Sequence, residues 1–95
     1  MTVEELRAEL EKIISDLSAS GFENIDSGMV EKLDKYSAAA GELSMKEGKK
    51  LVENLSGAIK AILEGKSKAE SGNLRLTALD FYVKKLSGTE NIEDL

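Results

Sequence analysis

The segment from Ser44 to Gly65 constrains the fold most, because it has the pattern of a long amphipathic helix with signals at both ends. Ser44 and Glu47 have the spacing of a capping box, in which both side chains accept hydrogen bonds from backbone N–H groups at the helix start. Gly65 stands where a left-handed residue commonly ends a helix. Between these ends, apolar residues recur at the spacing of a single helix face: Leu51, Val52, Leu55, Ala58, Ile59, Ile62 and Leu63. Such a face must be buried against other elements.

Three further segments have helical patterns. Thr2 and Glu5 again have capping-box spacing, and an apolar stripe follows them to Leu17. Asp26 is the expected N-cap of a second helix, which closes in a run of small residues. The last segment begins near residue 68, and we expect a kink or restart at Asn73 and an end at Gly88.

These patterns predict an all-α fold, an antiparallel four-helix bundle with helices at about 3–18, 27–40, 45–64 and 68/73–87. The intervening loops have lengths that usually join antiparallel neighbours. Because 95 residues support only one core, we expect residues 1–88 to form a single domain. Residues 89–95 are expected to be an acidic, mobile tail.

The composition excludes a large block of chemistry. The chain has no cysteine and no histidine, so disulfides, cysteine nucleophiles, imidazole acid–base catalysis and the usual zinc ligands are absent. The di-iron sites of helical bundles also need Glu-x-x-His pairs. The acidic residues of the first helix fall mostly on its polar side. We therefore expect no enzyme activity, no metal and no cofactor.

Charge and hydropathy limit the partners and the location. The net charge is −5, and residues 1–45 carry ten acidic against four basic side chains, which disfavours a nucleic-acid partner. Lys46, Lys49 and Lys50 cluster near the start of the third helix, but no aromatic residue lies among them. No leader or membrane-spanning stretch is evident, so we expect a cytoplasmic protein that does not bind membranes.

The last helix is apolar on more than one face, which an edge helix of a monomeric bundle does not need. It therefore either lies centrally or helps to form an interface. The candidate contact residues on this helix are Leu76, Phe81, Tyr82 and Val83. The sequence alone does not separate those in the core from those in contact with a partner.

A second candidate surface comes from residues 33–43, which end the second helix in small side chains before a short link and the amphipathic third helix. This layout resembles that of histidine phosphotransfer domains, which are antiparallel four-helix bundles of similar size. In the matching register, Asp34 stands at the phosphorylated histidine, Ser37 at a lysine and Ala38 at a small residue. The resemblance implies a degenerate relative that docks a signalling partner without carrying phosphate, because the imidazole is missing.

We therefore expect a non-catalytic module that binds another protein. A homodimer in which the last helices pair is the main alternative. A third reading rests on Asp26-Ser27-Gly28, which is similar to the Asp-Ser-Leu attachment site of acyl carrier proteins except that Gly28 replaces the leucine. A helix cap already accounts for Asp26 and Ser27 and is the favoured interpretation.

Overall fold

The structure is a computed structural model that describes residues 1–22 and 24–93, with side chains described as far as Leu86. It contains four helices, α1 (Val3–Ser20), α2 (Ser27–Glu42), α3 (Lys46–Leu63) and α4 (Ala69–Glu93), and no strand in the described part. The prediction of an all-α four-helix bundle is confirmed.

The helices form a ring in which each packs on its neighbours in sequence and α1 also lies against α4. Contacts between particular residues show that neighbours run antiparallel. Phe22, just after α1, lies against Gly72 near the start of α4, and Gly48 near the start of α3 lies against Tyr82 in the second half of α4. A surface groove lies between α3 and α4.

The core runs along the axis of the four-helix bundle and is almost entirely aliphatic. Every helix contributes a stripe whose members recur every three or four residues, as burial of one helix face requires. The large aliphatic side chains that are buried most deeply are Leu6, Leu10, Leu33, Val52, Leu55, Ile59, Leu79 and Val83. Phe22 joins this core from the loop after α1.

Three of the predicted helix ends are confirmed. Thr2 and Glu5 form the complete capping box. Asp26 caps α2 by accepting a hydrogen bond from the Gly28 N–H at 2.9 Å. Gly65 has φ 76° and follows α3, where the N–H of Lys66 returns to the carbonyl of Ala61.

The predicted capping box at Ser44 is wrong. The N-cap of α3 is Met45, which makes no side-chain capping bond. Ser44 instead takes φ 62° in the tight turn between α2 and α3, so it belongs to the end of the preceding helix. The turn is fixed by backbone bonds from Ser44 and Met45 to the end of α2.

The expected restart at Asn73 is absent, because α4 is continuous from Ala69 to Glu93. Gly72 is buried inside it, where the lack of a side chain admits the ring of Phe22. Gly88 does not end α4 either, since a glycine inside a helix costs only about 1 kcal/mol relative to alanine. The predicted mobility of the tail stays a prediction, and residues 94 and 95 lie outside the described residues.

Candidate functional site: the groove between α3 and α4

The structure separates the four α4 residues that the sequence left together. Leu76 and Val83 are 6% and 1% exposed and belong to the core. Phe81 is 70% exposed, and Tyr82 is half-buried at the α3 side. Of these four residues, Phe81 and Tyr82 therefore remain available to a partner.

A further residue, Leu74, shares the surface of Phe81 and was not singled out from the sequence. It is 67% exposed, and it precedes Phe81 by two helical turns. The seven-residue spacing of Leu74 and Phe81 is the sequence signal that could have identified it. Ala78 and Lys85 have the same spacing. We call Leu74, Ala78, Phe81 and Lys85 the outer stripe.

The outer stripe explains why α4 looks apolar on more than one face. Its members are spaced by four, three and four residues, which is the spacing of a coiled-coil seam. The inward stripe of Leu76, Leu79 and Val83 has the same kind of spacing and is buried. One helix thus carries two seams, and only the inward seam is covered.

The groove beside the outer stripe holds about 430 Å³ of open space. From α4 it is lined by the outer stripe together with Thr77 and Tyr82, and from α3 by Leu51 and Glu47. Its walls are mainly apolar. Glu47 and Lys85 bring one charge of each sign, so the groove carries little net charge.

Gly48 sets the position of the Tyr82 ring at one side of the groove. A β-carbon at Gly48 would lie 2.9 Å from the Tyr82 hydroxyl oxygen and 3.0 Å from Cε2, so the ring rests directly on the α3 backbone. Partial burial, followed by the nearby charge of Glu47, raises the pKa of the Tyr82 hydroxyl, although the Gly48 N–H acts in the opposite direction. The phenol is therefore neutral at physiological pH and forms part of the apolar wall.

The candidate residues on α2 form a different environment. The buried Ser56 hydroxyl of α3 donates a hydrogen bond to an Asp34 carboxylate oxygen at 2.8 Å, and Lys60 Nζ lies 3.6 Å from the other oxygen. Ser37 is 7% exposed, so it is not available at the surface. Ala38 is exposed. Asp34 and Ala38 thus lie at the surface, but Asp34 already has two partners on α3.

A second, more polar hollow lies where α1 ends and α2 begins, and it includes Asp16, Ser20, Asn24 and Asp26. The Asp26 carboxylate there is committed to the Gly28 N–H. These contacts describe a helix cap, which agrees with the simpler interpretation of Asp26 and Ser27.

Two features of the described residues limit what the surface offers. They contain no group of three or more acidic, histidine or cysteine side chains that could hold a metal ion. None of their helices combines the length and the hydropathy needed to cross a bilayer. In comparisons with known proteins, no protein-family model, no curated protein and no solved structure matches this chain.

Proposed function

We propose that this chain is a non-catalytic, cytoplasmic module that works by binding protein, and that the groove between α3 and α4 receives an amphipathic helix. The observation that carries the proposal is the pair of large apolar side chains, Leu74 and Phe81, that stand 67% and 70% exposed along one apolar groove. Single exposed apolar residues are common on protein surfaces, but a linked set beside a groove is typical of contact sites.

A helix is the occupant that the geometry favours. The groove lies between two antiparallel helices, and the outer stripe has seam spacing along it. Amphipathic helices bind such grooves through apolar anchors at i, i+3 or i+4, and i+7. The matching partner helix carries medium or large apolar anchors, because Ala78 leaves room in the middle of the stripe.

The experiment compares the wild-type chain with Phe81→Glu and with Leu63→Glu as bait. Leu63 is the matched control, because it is an exposed apolar residue of α3 that does not line the groove. The prey should be the proteins of native cells together with an untagged copy of the chain itself. Circular dichroism first establishes that all three baits have the same helix content.

We expect the wild-type and Leu63→Glu baits to retain the same protein and Phe81→Glu to lose at least nine-tenths of it. Equal retention by all three baits would overturn the proposal. Asp34→Ala should leave retention unchanged. If Asp34→Ala abolished retention instead, contact would lie on the α2 surface that the phosphotransfer resemblance implies.

A further inference from the structure

We infer that the helix received by the groove is α4 of a second copy of this chain, in a two-fold symmetric, antiparallel pair. This inference rests on the proposed function, because it names the partner of the same groove. Three observations carry it: the spacing of the outer stripe, the sizes of its side chains and the distribution of charge.

The spacing of the outer stripe reads the same in both directions. Its intervals of four, three and four residues superpose when the helix is reversed. In an antiparallel pair, Leu74 then faces the partner's Lys85, and Ala78 faces the partner's Phe81. The seam is self-complementary in this register, as a two-fold interface requires.

The side-chain sizes favour the same register. Each exposed Phe81 meets the small Ala78 of the other copy, where the groove offers open space beside Leu51. Each Leu74 meets the aliphatic stem of Lys85, which can cover apolar surface. A parallel pair would instead place Phe81 against Phe81 and Ala78 against Ala78, which leaves one layer crowded and another empty.

Charge also favours this arrangement. Residues 46–95 carry nine basic and eight acidic side chains, whereas residues 1–45 hold most of the negative charge. Two copies of an acidic protein therefore repel each other least when they meet through α3 and α4. The antiparallel register places the two Lys85 residues about 16 Å apart along the axis, beyond the screening length of about 8 Å at physiological ionic strength.

The first experiment is sedimentation velocity of the wild-type chain from about 1 to 500 μM. This range covers the dissociation constants of a weak to moderate dimer, which is what an interface of few residue pairs should form. We expect the wild-type and Leu63→Glu chains to shift from monomer to dimer with rising concentration. Phe81→Glu and Ala78→Phe should remain monomeric throughout, the first by charge and the second by filling the space for the partner's ring. Circular dichroism and melting temperature verify that each variant is folded.

The second experiment tests the direction of pairing. Because the chain has no cysteine, Glu70→Cys carries a spin label at a single exposed site near the start of α4. The antiparallel register predicts about 30 Å between the two labels, whereas a parallel pair predicts about 10 Å.

A chain that stays monomeric at every concentration, a dimer indifferent to Phe81→Glu, or a label distance near 10 Å would each overturn the inference. A monomer whose Phe81 still governs retention of a different protein removes only the second copy as partner and supports the groove as a binding site. If the groove variants change neither dimerisation nor retention, the inference and the proposed function fall together.

Discussion

The ring of Phe22 lies directly against Gly72, so that a β-carbon built on Gly72 would be 2.7 Å from Cε1 and 2.8 Å from Cδ1 of Phe22. Phe22 is only 2% exposed, and its ring has little room to move. Gly72→Ala should therefore destabilise the protein by about 1–3 kcal/mol, although alanine is the better helix former. Urea denaturation measures the change.

Gly57→Ala is the matched control for Gly72→Ala. Gly57 lies inside α3, is exposed, and would place its β-carbon where nothing lies within 4 Å. This substitution should stabilise the protein by about 0.5–1 kcal/mol through helix propensity and reduced unfolded-state entropy. Equal effects of the two alanines would contradict the close packing of Phe22 on Gly72.

Ser44 holds a left-handed conformation, φ 62°, that side-chain-bearing residues rarely adopt. Ser44→Gly should stabilise the protein by about 0.5–1 kcal/mol, because glycine adopts this conformation without steric cost. Gly65 has φ 76° and open space around its β-position. Gly65→Ala should therefore lose about 1 kcal/mol. Thermal melts of both variants measure these opposite changes, and a stabilising Gly65→Ala would refute the backbone argument.

Asp34 and Ser56 join α2 to α3 through a hydrogen bond of 2.8 Å from a hydroxyl group that is almost wholly buried. Removing Asp34 leaves the Ser56 hydroxyl without this acceptor, so Asp34→Ala should cost about 1 kcal/mol. In a double-mutant cycle, Asp34→Ala should cost much less in the Ser56→Ala background. Lys60 contributes little to this total, since its ion pair with Asp34 is half exposed. Additive single effects would show that the bond does not contribute.

The environment of the Tyr36 hydroxyl should make the protein less stable at high pH. Burial and the hydrogen bond that its hydroxyl donates to Glu9 at 3.0 Å raise the pKa of Tyr36 above its ordinary value of 10.0. The folded state thus holds the proton more tightly than the unfolded state. The resulting stability is complete below pH 10 and disappears as the pH rises through the folded-state pKa of Tyr36.

Tyr36→Phe removes this dependence together with the hydrogen bond. The variant should lose about 1 kcal/mol at pH 7 and show a smaller decline between pH 10 and 12 than the wild-type chain. Urea denaturation across this range measures the loss of stability, and an absorbance titration of the phenol measures the pKa. If the stability of Tyr36→Phe declined as steeply over this pH range, groups other than Tyr36 would be responsible for the decline.

Truncation to alanine should affect the free energy of unfolding strongly at Leu76 and little at Phe81. Leu76 is 6% exposed, so Leu76→Ala should cost about 2–5 kcal/mol. Phe81 is 70% exposed, so Phe81→Ala should change the stability of the monomer by less than about 0.5 kcal/mol. The comparison is made at low protein concentration, where self-association does not contribute. A large loss of stability in Phe81→Ala would show that the ring is part of the core.

Local sequence rules were reliable where neighbouring residues settle the outcome. The capping box of Thr2 and Glu5, the cap at Asp26 and the left-handed Gly65 all depend on contacts within a few positions of the chain. The same kind of rule failed at Ser44, which takes φ 62° in the turn after α2 instead of capping α3. The restart expected near Asn73 also does not occur, since α4 is continuous from Ala69 to Glu93 and the distant Phe22 packs on Gly72 inside it.

By itself, the sequence determined that the chain forms four helices around one aliphatic core, because helix periodicity and the absence of strand patterns are properties of the chain alone. Only the tertiary structure decided which face of α4 is covered. Leu76 and Phe81 are both apolar residues of one helix, and nothing local distinguishes them. The direction in which α1 and α3 approach α4 buries the first and leaves the second beside an open groove.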